Sequence, residues 1–368
     1  MADLRRNASI ELLRIISMVM IVMLHFLAHG QILKWSVFGS MEYRVYWIVE
    51  ALLFVAVNCF VLISGYFLCL SNFKISRIIK IWMQVLFYSC LCTFVCIILG
   101  GVPSLKNLLK MVLPLSGNQY WFATTYVLML CLSPLLNIAI LGMNKKQHQI
   151  AVCVIALLFC LMPTFLVWER DLITNGMDYT WFAALYIIAA YFRKYSIPNW
   201  LTTKRCIGAY IICSLITGGV RIPLGILSSY LGFGYTLSGL FFRYNSILVM
   251  LASVMLFCFF LKLEIKNVKF KKIILQISPL TFAVYLIHDH PMVRNLLWHS
   301  LPMEQWYTSG IFVTLIMMIM TTLGIFIFSC FVEKARMLLS KKFKMDEIAV
   351  WVSESVNKIL WGEFKGKS

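Results

Sequence analysis

Charged side chains are scarce in this sequence, and acidic ones are the scarcest. Charged residues make up 13% of the 368 positions and only 15 residues are acidic, whereas 61% are hydrophobic. The mean hydropathy of +0.85 lies well above the range of a soluble globular domain. This shortage of charge excludes an ordinary soluble enzyme and predicts a protein that crosses a membrane several times.

The sequence also lacks the common signatures of soluble catalysis and of metal binding. It contains no G-x-S-x-G elbow and no Walker loop. Its twelve cysteines include no C-x-x-C pair and lie mostly in apolar runs, so we expect neither disulfides nor a metal. The net charge of +18 would favour nucleic acid as the partner of a soluble chain. In a membrane protein it reflects basic cytoplasmic loops, and no nucleic acid is expected.

Ten apolar stretches have about the length that a bilayer requires, ~20 residues. The ninth contains Ser278-Pro279 and the seventh is interrupted by Arg221 and Pro223, as happens where backbone lines a protein cavity rather than lipid. The sequence therefore predicts an all-α polytopic membrane protein with about ten transmembrane helices, at residues 10–27, 45–70, 78–99, 120–141, 150–167, 180–195, 207–227, 244–261, 273–288 and 311–332.

The distribution of basic residues predicts the orientation. With the amino terminus in the cytoplasm, 24 of the 33 Lys and Arg residues fall in cytoplasmic segments and eight in outer loops, leaving Arg14 within a span. This bias predicts that both termini are cytoplasmic. We divide the chain into a transmembrane domain at residues 1–336 and a cytoplasmic tail at residues 337–368, whose apolar residues recur at the spacing of an amphipathic helix on the membrane surface.

The first span carries three ionisable residues, Glu11, Arg14 and His25. Ionisable side chains within hydrocarbon are costly and by default mark functional sites. Arg14 and His25 are eleven positions apart, so on a helix they point within about 20° of each other, about 16 Å apart along the axis. This polar stripe predicts a cavity inside the helix bundle, with Arg14 toward the cytoplasm and His25 toward the outer face.

Other polar residues are expected at the same two depths. His288 in the ninth span reaches the outer side, whereas Glu333 lies at the cytoplasmic end of the tenth. Lys74, Arg77 and Lys80 share roughly one face at the cytoplasmic start of the third span. The basic residues would therefore face the cytoplasm and the two histidines the outside.

These residue types favour acyl transfer. A histidine of near-neutral pKa can accept the proton of a hydroxyl that attacks a carbonyl, so His25 is the candidate general base and His288 a candidate partner. A guanidinium binds phosphates or a developing anion through two parallel hydrogen bonds, so Arg14 and the basic cluster of the third span suit a phosphate-bearing acyl-coenzyme A. The acceptor hydroxyl would come from the outer side.

Plainer interpretations stay open on the residues alone. His25 could be a packed histidine, and Arg14 could stabilise the bundle by pairing with Glu11 or Glu333. The basic cluster could be positive-inside charge only. A polytopic transporter of a lipid-linked sugar or small acid, with or without proton coupling, fits the interrupted helices and the buried arginine equally well.

The pattern Arg14-x10-His25 resembles the hallmark of the integral-membrane acyltransferase-3 family. Further matches follow in the order that the family shows them, and the resemblance covers about residues 7–336. It is closest to members that modify surface polysaccharides. The matching elements are FVLISGY at residues 60–66, with Ser64 and Gly65, the basic start of the third span, Tyr120-Trp121, Ser278 to His288, and Glu333.

The resemblance implies an O-acyltransferase, for groups other than amino-acyl groups, in a bacterial-type inner membrane. Acyl-coenzyme A, most simply acetyl-coenzyme A, would be the cytoplasmic donor, and a sugar hydroxyl of a surface or lipid-linked polysaccharide the acceptor. Arg14 and His25 would be essential, and the basic pair of the third span would hold the coenzyme. The expected supporting residues are Glu11, Glu333, Ser64, Gly65, Tyr120 and Trp121.

One departure affects coenzyme binding. The family commonly has Arg-x-x-Arg at the start of the third span, whereas this chain has Lys74-x-x-Arg77 or Arg77-x-x-Lys80. Lysine keeps the charge and loses the bidentate geometry of arginine. We therefore expect weaker binding of phosphate at this position than in members with two arginines.

Overall fold

The computed structural model describes residues 7–165, 175–234 and 236–361, and within these ranges the chain is helical without β-strands. Short π-helical and 3-10 turns occur at Ala156–Leu161, Thr236–Gly239 and Ser278–Leu280. The α-helices, numbered α1 to α19 along the chain, are Ala8–His29, Ile32–Trp35, Met41–Leu53, Ala56–Leu68, Ile75–Ile98, Leu105–Val112, Trp121–Gly142, Lys145–Ile155, Met162–Phe165, Tyr179–Tyr195, Thr203–Gly219, Arg221–Tyr230, Ile247–Lys262, Val268–Ile277, Thr281–His288, Pro291–Ser300, Met303–Thr308, Ile311–Lys342 and Met345–Trp361.

The all-α membrane architecture is confirmed. Eight helical stretches are long and apolar enough to cross a membrane, and the shorter apolar helix Ile247–Lys262 and the 17-residue α10 coincide with the other two predicted spans. The count of ten spans and the cytoplasmic termini stay predictions. Residues 1–6, 166–167 of the predicted fifth span, and 362–368 of the tail lie outside the described residues.

Side-chain caps define where several helices begin. The Asn7 side chain accepts hydrogen bonds from the backbone N–H groups of Ser9 and Ile10 at the start of α1. At the start of α8, Asn144 and Gln147 form a capping box in which each side chain bonds the backbone of the other. Such caps satisfy the N–H groups of the first turn, which have no partner within the helix.

Four of the predicted spans are interrupted within the described residues, and the fifth span carries the π-helical turn Ala156–Leu161. The seventh breaks at Val220, between α11 and α12, and the ninth has the 3-10 turn Ser278–Leu280, as the proline and arginine positions predict. The break of the second span at Phe54 and Val55, between α3 and α4, was not predicted, because no glycine or proline marks it. This last break lies next to the candidate site.

Helix α1 occupies the middle of the bundle. It packs against α3, α4, α13, α15 and α18, while α4 also packs against α10. A Cβ atom on Gly65 would lie 2.7 Å from the Cα of Tyr186, so only glycine permits this approach of α4 to α10. With helices on most sides of α1, its polar stripe faces protein rather than lipid.

The tail is a helix docked on the domain. Helix α18 continues through the predicted boundary at residue 336 and ends at Lys342, and α19 then packs against α5 and α18. The Lys80 ammonium lies 2.6 Å from a carboxylate oxygen of Asp346 in α19. Both groups are largely exposed, so this ion pair contributes at most about 1 kcal/mol to docking.

Candidate functional site

The two predicted histidines are in direct contact. Nδ1 of His25, one turn before the end of α1, lies 2.9 Å from Nε2 of His288, the last residue of α15. The centres of the two rings are 5.0 Å apart. His288 is fully buried and His25 is partly exposed. The ends of two helices far apart in sequence thus form one imidazole pair.

The hydrogen bonds of this pair fix the protonation of both rings. Nδ1 of His288 contacts the backbone carbonyl of Val284 one turn earlier, and a carbonyl can only accept, so this nitrogen carries the proton. In a neutral ring Nε2 of His288 is then the acceptor, and Nδ1 of His25 donates to it. By this assignment Nε2 of His25 is the free basic nitrogen.

A carboxylate lies beside the pair. Oδ1 of Asp289 is 3.7 Å from Nδ1 of His25, 3.8 Å from Nε2 of His29 and 3.4 Å from the guanidinium of Arg294. Burial raises the pKa of Asp289, while the neighbouring His288, Arg294 and His29 charges oppose this rise. A positive charge that forms on His25 would be stabilised by this carboxylate.

Three of these residues have the types and spacing of a metal site. The ligand atoms of His25, His29 and Asp289 all lie within 4.8 Å of one another. Arg294 places a permanent positive charge on the same carboxylate, which disfavours a second cation there. The absence of a metal stays a prediction from the sequence.

His25 lines a cavity of about 380 Å³. Its wall is mostly aromatic and apolar, and the polar side chains in it include Glu50, Asp289 and Arg294. A concave, mainly apolar pocket with a few converging polar groups is the usual form of a small-molecule site. We call this pocket the His25 cavity. The predicted supporting residue Trp121 also lines it.

Arg14 lines a second cavity of about 290 Å³, the Arg14 cavity. Its Nε donates to Glu11 at 3.1 Å, so of the two carboxylates considered from the sequence Glu11 is the partner. Ser64 and Tyr126 share a hydrogen bond of 3.0 Å in the same wall, which Ser278 and Thr281 extend. The cavity therefore offers hydroxyl groups beside one guanidinium.

Three phenylalanines separate the two cavities. Phe60, Phe122 and Phe282 line both of them, and the ring centres of Phe60 and Phe122 are 6.0 Å apart. Arg14 and His25 thus face neighbouring cavities along one helix rather than a single open channel. A molecule that extends from one cavity to the other must pass between these rings.

The basic residues of the third span are not among the described residues that line either cavity. Lys74 caps α5 without a side-chain bond, Arg77 donates to the Ser71 hydroxyl at 3.1 Å, and Lys80 pairs with Asp346. Ile81, which follows Lys80 in the chain, does line the Arg14 cavity. Their contact with a coenzyme stays a prediction.

Glu333 joins α5 to α18. Its carboxylate accepts hydrogen bonds from Tyr88 at 2.6 Å, from Gln84 at 3.0 Å and from two guanidinium nitrogens of Arg336 at 2.7 and 2.8 Å. It is 1% exposed and is not part of the described walls of either cavity. This geometry satisfies the buried charge and makes Glu333 a link between helices.

Tyr120 supports the position of His288. Its hydroxyl donates to the Leu286 carbonyl at 2.9 Å, and the side chain is fully buried. Leu286 precedes His288 by two residues in α15. Loss of this bond would therefore free the end of the helix that carries the imidazole.

A protein-family model matches most of the chain. The model of the acyltransferase-3 family, described as an acyltransferase domain, matches residues 7–330. The chain belongs to the acyltransferase-3 family. No curated protein and no solved structure matches it. As an acyltransferase-3 protein with several membrane-spanning helices, it is a multi-pass membrane protein of an acyltransferase family, and the matched region includes both cavities.

Sequence reasoning missed part of the candidate site. The sequence motifs do not single out Asp289, Arg294, His29 or Glu50, all of which line the His25 cavity. Glu50 carried a usable signal, because it is an acidic residue within a predicted apolar span. The other three gave none, since only the fold brings them to His25.

Proposed function

We propose that this protein is an O-acyltransferase that moves an acyl group, most simply acetyl, from cytoplasmic acyl-coenzyme A to a sugar hydroxyl of a surface or lipid-linked polysaccharide. The family membership supports acyl transfer. The observation that carries the finer proposal is the His25–His288 pair in the wall of one cavity, with Arg14 in the next cavity along the same helix. Coenzyme, acceptor and a bacterial-type inner membrane belong to the proposal.

His25 acts as the general base in this scheme. The acceptor hydroxyl attacks the thioester carbonyl, and its proton passes to Nε2 of His25 while a new C–O bond forms. The imidazolium donates through Nδ1 to His288 and lies beside the Asp289 carboxylate. Collapse of the tetrahedral intermediate breaks the C–S bond, and the coenzyme thiolate takes the proton from His25. A positioned base of this kind contributes about 10²- to 10⁴-fold to the rate.

The donor would enter from the Arg14 side. The hydroxyls of Ser64, Tyr126 and Thr281 offer hydrogen bonds to the amides of a pantetheine arm, and Arg14 offers a positive charge to a phosphate or to the thioester oxygen. The thioester then has to pass between Phe60, Phe122 and Phe282 to reach His25. Lys74, Arg77 and Lys80 remain proposed contacts of the coenzyme phosphates at the membrane surface.

The test is acyl transfer by purified full-length protein with labelled acetyl-coenzyme A. We expect His25→Ala to lower acetyl-coenzyme A consumption by at least about 10²-fold at normal membrane levels. His299→Ala is the matched control, because that exposed histidine bonds only a carbonyl of its own helix among the described residues. Undiminished turnover by His25→Ala would contradict the assignment of the base.

A second test of the proposed function examines the surface glycan of cells. Surface glycan from cells with and without the protein should differ by an ester, which compositional analysis detects. A transporter would instead move a sugar or small acid across vesicles without consuming the thioester. Flux without acyl transfer would therefore overturn the proposed function.

A further inference from the structure

Glu50 is a buried carboxyl group in the wall of the His25 cavity. Its side chain is 6% exposed, and its Oε2 atom has no hydrogen-bond partner among the described residues. It lies on α3, one turn before the break at Phe54. An unpartnered polar atom in the interior costs about 1–3 kcal/mol, so its retention calls for a functional reason.

The nearby arginine does not supply a partner for this oxygen. Arg221 attracts Glu50 electrostatically, but its guanidinium donates to the Tyr43 hydroxyl at 2.7 Å and to the Ser238 carbonyl at 2.9 Å. The same guanidinium lies 3.3 Å from the centre of the Trp47 ring. Arg221 is thus held by aromatic and backbone contacts, and no described residue pairs with the buried Oε2 atom of Glu50.

Aromatic rings form a platform beside Glu50. Tyr244 stacks on Phe54 with ring centres 4.7 Å apart and an angle of 13°, and it lies near-parallel to Trp121 at 6.0 Å and 23°. All three rings line the His25 cavity. Asn58 holds this platform, since it donates to the Tyr244 carbonyl at 2.8 Å. An aromatic wall beside a hydrogen-bonding carboxyl suits a ligand that has both apolar C–H groups and hydroxyls.

We propose that Glu50 is a specificity residue that recognises the acceptor. Its carboxyl group forms a hydrogen bond with a hydroxyl of a saccharide whose C–H groups pack against Tyr244 and Trp121, and this contact presents another hydroxyl to His25. The presentation of a hydroxyl to His25 rests on the proposed function, whereas saccharide binding at Glu50 does not. The binding of a saccharide at Glu50 can be tested without acyl transfer.

Replacement of Glu50 by methionine separates a functional role from a structural one. Methionine has similar length, carries no acceptor oxygen, and fills an apolar site without an unpartnered polar atom. If Glu50 serves a ligand, Glu50→Met should keep or raise the thermal unfolding midpoint and still weaken saccharide binding. Glu42→Met on the same helix is the matched control, because Glu42 is not in the described wall of the cavity.

The experiment uses the full-length protein in detergent and the methyl glycosides of glucose, galactose and mannose as probes. Dissociation constants are measured by NMR, and transfer from labelled acetyl-coenzyme A to the same glycosides is measured in parallel. We expect Glu50→Met to weaken binding and lower acceptor kcat/KM about tenfold, as for loss of one hydrogen bond in a buried site. The acetyl-coenzyme A KM should change less than twofold.

The outcomes distinguish this proposal from the proposed function. Glycoside binding that depends on Glu50, without any transfer by the wild type, would retain the Glu50 site and refute the acyltransferase scheme. Transfer that is unaffected by Glu50→Met would overturn the Glu50 site alone. A lowered unfolding midpoint together with parallel loss of donor and acceptor binding would make Glu50 a structural residue, which also overturns the proposal.

Discussion

Nδ1 of His25 lies 2.9 Å from Nε2 of His288, although 263 positions separate the two residues in the chain. The contact joins the ends of the first and the ninth predicted spans. Because Nδ1–H of His288 must donate its hydrogen bond to the Val284 carbonyl, the contact also determines which nitrogen of His25 is basic. This single pair therefore connects the fold to the proposed chemistry.

The role of His288 can be separated from that of His25. We expect His288→Ala to lower kcat about 10- to 100-fold, because His25 then loses the acceptor that fixes its tautomer. His288→Gln should lose less, since the amide oxygen of glutamine can accept the same hydrogen bond from His25. Steady-state kinetics with acetyl-coenzyme A measures the kcat of both variants. Equal losses for the two variants would contradict an acceptor role for His288.

Arg14 has two candidate partners, Glu11 within the helix and the coenzyme in the Arg14 cavity. If it contacts the coenzyme, Arg14→Ala should raise the KM for acetyl-coenzyme A about tenfold, as expected for a lost hydrogen bond to a charged group. Glu11→Gln should leave that KM within about twofold, because the guanidinium remains. A matching rise of KM in Glu11→Gln would show that the intrahelical pair is what matters.

The phenylalanine constriction predicts a limit on the donor. Phe282 lines both cavities, so Phe282→Ala should widen the passage between them. We expect this variant to increase the rate with butanoyl-coenzyme A relative to acetyl-coenzyme A by about tenfold, since a clash with the longer chain is removed. Competition between the two labelled donors gives the ratio directly. Phe312→Ala is the control, because that side chain is 76% exposed on α18.

An unchanged donor ratio in Phe282→Ala would exclude this residue as the limiting constriction. Phe60→Ala and Phe122→Ala would then test the other two rings. The thermal unfolding midpoint of each variant must be measured alongside, because large-to-small changes among packed residues commonly cost about 2–5 kcal/mol.

His290 predicts a pH dependence of stability. Burial, with help from the Arg294 charge, lowers the pKa of His290 to about 4 from its ordinary value of 6.5. The unfolded chain therefore binds a proton between these values that the folded chain does not. The resulting contribution to the free energy of unfolding is fully present above pH 6.5 and is lost as the pH falls toward 4.

The measurement is the thermal unfolding midpoint at pH 7.5 and pH 5. We expect His290→Gln to show a smaller drop between these pH values than the wild type, because it has no proton to gain at this position. The exposed His299→Gln variant should keep the drop of the wild type. An identical pH dependence in His290→Gln and wild type would show that the imidazole of His290 does not stay neutral in the fold.

Much of the architecture follows from local sequence properties. Hydropathy and length predict the spans, and a proline or arginine predicts the breaks at Val220 and Ser278–Leu280. The break at Phe54 and Val55 has no such marker. Without proline or glycine, a helix kinks at a π-bulge or where a side chain or water enters its hydrogen-bond ladder. Such an insertion depends on the surrounding fold, so the residues at the break do not predict it.

Part of the candidate site could also be predicted from the sequence. Helical periodicity places Arg14 and His25 on one face of α1 and predicts one cavity along it, whereas the structure has a separate cavity at each of the two residues. The same reasoning could not tell that Glu333 would be satisfied by Tyr88 and Arg336 rather than by Arg14. Several partners of opposite charge were compatible with the sequence, and only the packing of α5 against α18 selects one.

By itself, then, the sequence determined that this protein is a helical membrane protein with an intramembrane arginine and histidine on one face of its first helix, because these are properties of short segments. The tertiary structure alone decided that His288 and Asp289 meet His25, that three phenylalanines divide the interior, and that Glu50 faces the same cavity. Those relationships join residues far apart in the chain, and their distances depend on how whole helices pack.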